Sequence, residues 1–181
     1  MKNLIFSVVL LMTISVSAQK YFTKTGITEF KASVEAFEPV EAVNKSTTAI
    51  LNVENGDIAG LLFLKAFHFK VALMQEHFNE NYMDSDKYPK ATFKGRILDF
   101  SFDELTEDGK LLKLDGVLNL RGKDKAISTI AKLTKVGDKI QVTSTFSVEP
   151  QDFDIKIPGI VKDKIAKTIN VRLNYELIEK K

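Results

Sequence analysis

Hydrophobic and polar residues alternate along much of this chain with a period of two. Successive side chains of a β-strand point to opposite faces, so this alternation predicts strands with one apolar and one polar face. The pattern is clearest in five segments of the later half: Phe93–Ile97, Leu112–Arg121, Ile140–Glu149, Phe153–Ile157 and Ile169–Leu177. Five such runs in succession favour an antiparallel sheet that closes or folds on itself.

The earlier half of the chain is less regular but also predicts strands. These strands are expected at Ile27–Val34, Thr47–Glu54 and Ile58–Leu64. Three dipeptides with a turn-forming glycine predict hairpins between strands: Asn55-Gly56, Asp108-Gly109 and Gly137-Asp138. Such regular spacing of strands and turns is typical of a barrel or a sandwich.

Two short helices are expected beside the strands. Val71–Phe78 has helical spacing, and Ile160–Thr168 follows the Pro158-Gly159 turn. The strand at Ile58–Leu64 is apolar on both faces, so the helix at Val71–Phe78 is expected to cover its outer face. We find no internal repeat or linker, and 181 residues fit one domain.

The N-terminus has the pattern of a secretory signal peptide. Lys2 provides a positive start, Leu4–Val16 is mostly apolar, and Val16-Ser17-Ala18 offers small residues for cleavage. The apolar run is too short for a comfortable membrane span. We therefore predict a signal peptide over residues 1–18, a single domain over residues 19–181, and export to the periplasm or the medium.

Composition removes several classes of function. The chain has 26 basic and 24 acidic residues and no basic block, so no nucleic-acid partner is expected. The absence of cysteine excludes disulfides, thiolate nucleophiles and iron–sulfur clusters. Glu76 and His77 are adjacent rather than one helical turn apart, which favours a covering helix over a metal site. His68 is expected at the surface, and no cofactor is predicted.

The apolar faces of the predicted strands carry many aromatic residues and two glycines. Glycine on the apolar register of a strand marks either a bend or space for a ligand. We predict an internal apolar pocket lined by these residues: Phe30, Val34, Phe67, Phe69, Phe93, Gly95, Leu114, Gly116, Leu118, Val142, Phe146, Phe153 and Leu173.

Two linked segments resemble a known family. Met74–Met83 and Lys87–Gly95 together resemble the central motif of the YceI-like family, and Gly116–Gly122 and Phe146–Phe153 look like its downstream strands. Tyr21–Ala32 lacks the Trp and the Phe-x-Val-x-His strand with which many members begin.

The resemblance implies an all-β fold, a lipocalin-like antiparallel barrel of about eight strands with one or two covering helices. It also implies an exported, non-enzymatic protein that binds a polyisoprenoid chain or an isoprenoid quinone inside the barrel. Such a protein would serve in transport, storage or stress response. The resemblance is compatible with a homodimer, and no stable insertion into a membrane is expected.

Three other functions remain compatible with the residues alone. A structural or stress-related domain with a filled core would show the same alternation of apolar and polar positions. A small outer-membrane barrel would also show this alternation, although the chain lacks the aromatic girdles and the terminal aromatic residue that such barrels carry. A hydrolase or isomerase acting on a lipid would need an interior polar cluster, for which Ser144 is the one weak candidate.

Overall fold

The computed structural model describes residues 19–34 and 37–180, and nearly all of the regular structure is β-sheet. The predicted signal peptide, residues 1–18, lies outside the described residues. Nine strands follow in chain order: β1 Lys20–Ser33, β2 Glu41–Asn52, β3 Asp57–Phe63, β4 His68–Phe69, β5 Lys90–Ile97, β6 Lys110–Leu120, β7 Lys123–Val136, β8 Lys139–Val148 and β9 Ile165–Glu179.

Eight of these strands form a closed antiparallel barrel, as predicted. The order around the barrel is β1-β9-β8-β7-β6-β5-β3-β2, and β2 pairs again with β1. The two-residue strand β4 pairs with the start of β2. Closure leaves none of the eight strands with an unpaired edge, which suits a sheet with one apolar face turned inward.

The two ends of the barrel differ, and we name them from the loops they carry. The floor carries the β2–β3 and β7–β8 hairpins and the β5–β6 connection. The mouth carries the β1–β2 loop, the long β3–β5 connection and the β8–β9 connection. Asn55-Gly56 and Gly137-Asp138 form the predicted hairpins, with Gly56 at φ 75° and Gly137 at φ 60°. Asp108-Gly109 instead ends the longer β5–β6 connection.

The helix predicted near Val71–Phe78 is present but covers a different surface from the one expected. Helix α1 spans Ala72–His77 and continues as a π-helical turn over Phe78–Met83. Phe78 is buried and packs inside the mouth against Phe30, whereas Phe63 on the outer face of β3 stays 49% exposed. Within residues 19–34 and 37–180, no helix is long and apolar enough to cross a bilayer.

Two predicted elements near the mouth are wrong. Phe153–Ile157 is not a strand, because a 3-10 turn occupies Pro150–Phe153 and Asp154 follows with φ 55°. Its alternation arises because Phe153 and Ile155 both pack into the core from an irregular segment. Ile160–Thr168 is not a helix either, since a single 3-10 turn at Gly159–Val161 precedes β9.

A tightly packed cluster fills the floor half of the barrel, and we call it the plug. Its buried members come from all eight barrel strands, and Leu51, Leu133, Ile140 and Leu177 have no exposed surface at all. Close packing of this kind leaves no room for a ligand in that half. Any internal space must therefore lie between the plug and the mouth.

Candidate functional site: an apolar cavity in the mouth half of the barrel

A cavity of about 620 Å³ lies between the plug and the mouth. Its walls come from the inward faces of all eight barrel strands, and helix α1 with its π-helical turn contributes at the mouth. The volume falls in the range of roughly 300–1,000 Å³ that is usual for small-molecule sites. The interior of the barrel is thus packed with side chains in one half and hollow in the other.

Ten of the thirteen residues predicted for the pocket line this cavity. They come from strands β1, β4, β5, β6, β8 and β9 and from mouth segments, and they converge although they are widely separated in sequence. The ten are Phe30, Phe67, Phe69, Phe93, Leu114, Leu118, Val142, Phe146, Phe153 and Leu173.

The other three predicted residues do not line the cavity. Val34 follows the end of β1 and is 37% exposed. Gly95 and Gly116 face inward and lie opposite each other on β5 and β6, but the ring of Phe93 covers them. A Cβ atom at Gly116 would overlap that ring and lie 2.6 Å from the Lys94 carbonyl oxygen. Because these two positions are glycines, strands β5 and β6 and the ring of Phe93 can approach each other closely, and no space is left there for a ligand.

A different glycine provides space, and the sequence analysis did not select it. Gly60 lies in the middle of β3, lines the cavity, and has nothing within 4 Å of the position its Cβ would occupy. Its inward direction follows from its neighbours two positions away, Ile58 and Leu62, which are both buried. That signal was hidden in the sequence because β3 is apolar on both faces.

Four phenylalanines form an aromatic cluster at the mouth. Phe30 on β1 stacks on Phe78 with the ring centroids 5.5 Å apart, and Phe67 and Phe69 meet Phe78 at 5.6 and 5.1 Å. Aromatic pairs at these distances contribute about 0.5–1.5 kcal/mol each beyond their buried area. The cluster therefore fixes the π-helical turn over the barrel opening and forms one apolar wall of the cavity.

The lining residues with ionisable side chains other than tyrosine lie at the mouth. Glu38 belongs to the β1–β2 loop, His77 to helix α1, and Lys164 directly precedes β9. Within the described residues, no three His, Asp or Glu side chains come together in a metal-binding group. His68 is exposed on β4, as expected.

The polar groups deeper in the cavity are hydroxyls. Ser144 donates a hydrogen bond to the Ile130 carbonyl at 2.8 Å, and Thr129 donates one to the Thr145 carbonyl at 2.9 Å. Thr28, Thr47 and Tyr175 form a separate hydroxyl group. Burial raises the pKa of Tyr175 to about 12, against the opposing effect of the neighbouring Thr28 and Thr47 hydroxyls. This group could not be predicted from the sequence, because Thr28 and Thr47 have the pattern of ordinary strand residues.

A closed eight-stranded antiparallel barrel with an apolar internal cavity is an architecture of the lipocalin-like class. The family model described as "YceI-like domain" matches residues 11–177. The chain therefore belongs to the YceI-like family, as the motif at Met74–Gly95 indicates. A comparison with curated protein sequences finds no match.

Solved structures share this fold at low sequence identity. A polyisoprenoid binding domain from Saccharophagus degradans, implicated in plant cell wall breakdown, superposes with a TM-score of 0.77 at 12% identity, covering 91% of this chain and 100% of that one. BcnA from Burkholderia cenocepacia gives 0.68 at 14% identity, covering 83% and 95%. A YceI protein from Campylobacter jejuni gives 0.65 at 17% identity, covering 80% and 88%.

Proposed function

We propose that this protein holds one long apolar molecule inside its barrel, as a carrier or store for a polyisoprenoid, an isoprenoid quinone or a similar lipid. The observation that carries the proposal is the cavity of about 620 Å³ in the mouth half, lined mainly by aliphatic and aromatic side chains. The Saccharophagus degradans domain of the same fold, which is named for polyisoprenoid binding, supports the same ligand class.

The energetics favour such a ligand without many polar contacts. Each methylene group transferred from water into an apolar site contributes about 0.8 kcal/mol. A branched chain of a few isoprene units therefore gains enough from burial to bind tightly, even after the cost of losing its freedom in solution. Mouth residues such as Leu73, which is 56% exposed, extend the apolar lining to the entrance.

The lining offers little support for a catalytic role. Ser144, the one hydroxyl considered as a nucleophile, donates its proton to the Ile130 carbonyl rather than to a base. An activated serine needs a general base within hydrogen-bonding reach. We therefore propose that the protein binds its ligand without transforming it.

A vesicle-extraction assay tests this function. Delipidated protein is mixed with phosphatidylcholine vesicles that carry a radiolabelled polyprenol, the vesicles are pelleted, and the label in the supernatant is counted. We expect label to rise with protein and to saturate near one molecule per chain. The matched control is Gly60→Leu, whose added side chain enters the cavity and should reduce extraction strongly. Supernatant label that stays at the protein-free level would contradict the proposal.

We also propose that the protein is exported and that residues 1–18 are removed. The positive start, the apolar run and the small residues before Gln19 support this proposal. The intact mass of the protein recovered outside the cytoplasm should correspond to a chain that begins at Gln19. A mass that retains Met1–Ala18 would contradict it.

A further inference from the structure

The boundary between the cavity and the plug carries three buried hydroxyl groups, which we call the hydroxyl trio: Thr28, Thr47 and Tyr175. Their residues are 4%, 1% and 6% exposed. Thr28 Oγ1 is central, 2.9 Å from Thr47 Oγ1 and 3.0 Å from the Tyr175 hydroxyl. All three residues line the cavity, and Tyr175 is also a member of the plug. The trio is therefore the inner end wall of the cavity.

A glycine in β1 makes this arrangement fit. The register of β1 against β2 shifts on either side of Gly26, and a Cβ atom there would lie 2.6 Å from Tyr175 Cδ1 and 3.0 Å from the Thr47 carbonyl oxygen. Any larger residue would push the Tyr175 ring out of its position. The local irregularity of β1 thus brings three hydroxyls from three neighbouring strands together.

The trio has more hydrogen-bond donors than there are hydrogen bonds within it. Each hydroxyl carries one proton, but the structure has two hydrogen bonds among the three groups. The other deep hydroxyls differ, because Thr129 and Ser144 each donate to a backbone carbonyl. One proton of the trio is therefore available to an acceptor in the cavity, and a buried donor without an acceptor is costly.

The surroundings of the trio select a neutral acceptor. The Glu, Lys and His side chains among the described lining, Glu38, Lys164 and His77, lie at the mouth. An anionic group at the inner end would lose its hydration without meeting a cation, which is strongly unfavourable. A carbonyl or alcohol oxygen needs only the hydrogen bond that the trio supplies.

We infer that the hydroxyl trio is a binding subsite for a neutral oxygen at the end of the ligand, so that the ligand enters with its polar end first. The ligand class is an apolar chain that ends in a carbonyl or an alcohol rather than in a phosphate or a carboxylate. This inference rests on the proposed function, because it names which end of the bound lipid lies deepest.

Matched ligands and matched variants test the subsite. Phytanol and phytane share one branched isoprenoid skeleton and differ only in a terminal hydroxyl. Their affinities for the delipidated protein are measured by displacement of a fluorescent polyene. We expect wild type to prefer phytanol, and the triple variant Thr28→Val/Thr47→Val/Tyr175→Phe, which removes every donor of the trio, to weaken phytanol binding roughly fivefold to tenfold while phytane binding stays the same. Thr145→Val, which removes an exposed hydroxyl outside the cavity lining, should change neither affinity.

The outcomes separate the subsite from the proposed function. If phytane and phytanol bind wild type equally, or if the triple variant leaves the preference unchanged, the subsite is wrong and the container function stands. If wild type binds neither ligand, both proposals fail. Should the triple variant fail to fold, wild type alone decides through phytanyl methyl ether, which accepts a hydrogen bond but donates none and is expected to keep the preference over phytane; equal binding of the ether and phytane would overturn the subsite.

Discussion

Two inward-facing glycines of the same barrel should respond in opposite ways to the same substitution. Gly60 on β3 faces open space, with nothing within 4 Å of its Cβ position. Gly116 on β6 faces the ring of Phe93 and a backbone carbonyl oxygen at 2.6 Å. Replacing each by leucine adds the same side chain to the same face of the same sheet, so the pair separates cavity filling from core overpacking.

Gly60→Leu is expected to weaken ligand binding without weakening the fold. Its side chain adds four carbon atoms to the cavity and displaces about as many from the ligand. At about 0.8 kcal/mol per methylene, this costs about 3 kcal/mol, or roughly a hundredfold in affinity. Stability without ligand should stay level or rise by a fraction of the ~1 kcal/mol spanned by strand preferences, because glycine is unfavourable inside strands.

Gly116→Leu is expected to destabilise the fold whether or not a ligand is present. Its Cβ atom would also lie 2.7 Å from Gly95 Cα on the facing strand, so the strands or Phe93 must move. Overpacking of this kind typically costs about 1–3 kcal/mol, and each kcal/mol lowers the melting temperature by about 2–4 °C in a domain of this size.

Thermal unfolding of the delipidated proteins, followed by phytanol titration, measures both effects. The expected result is a Gly60→Leu variant that melts near wild type and binds poorly, beside a Gly116→Leu variant that melts several degrees lower. A Gly60→Leu variant that melts as low as Gly116→Leu would show that the space at Gly60 is absent in solution. Binding by Gly60→Leu at wild-type affinity would place the ligand elsewhere.

The helix contact and the buried tyrosine give two further predictions. Phe78→Ala should lower the free energy of unfolding by about 3 kcal/mol, because it removes the ring that joins Phe30 to the π-helical turn. Leu73→Ala, at an exposed position on the same helix, should change the free energy of unfolding by under about 0.5 kcal/mol. Urea unfolding that finds equal losses for the two variants would contradict this packing. The native state keeps the Tyr175 proton up to about pH 12, but the unfolded chain releases it near pH 10.0. Stability should therefore fall by about 1.4 kcal/mol per pH unit across that window, and an equally steep fall in Tyr175→Phe would refute the assignment.

The alternation of side chains predicted the strands best where one face is uniformly apolar. Leu112, Leu114 and Leu118 point inward on β6 as the pattern predicts. Strand β7 was missed because its inward positions include small and polar residues such as Ala131 and Thr129, while Ile130 faces outward and is 52% exposed. The pattern of apolar residues therefore fails where the contrast between the two faces is weak.

The strand register predicted which residues face the barrel interior, but it did not predict whether those residues face open space or a neighbouring side chain. A strand pattern identifies which face turns inward, so ten pocket residues fell on the cavity wall. It does not tell whether an inward glycine meets space, as Gly60 does, or a neighbouring ring, as Gly116 does. The hydroxyl trio likewise depends on contacts between β1, β2 and β9, which are far apart in sequence.

The central claim is that the mouth half of the barrel carries a lipid in the native protein. The most direct measurement is organic extraction, followed by mass spectrometry, of protein isolated without detergent from the cells that make it. We predict close to one molecule per chain of a long, branched, uncharged lipid that ends in a carbonyl or alcohol oxygen. Protein that yields no such lipid, and that takes up none when its delipidated form is incubated with membranes from the same cells, would contradict the claim.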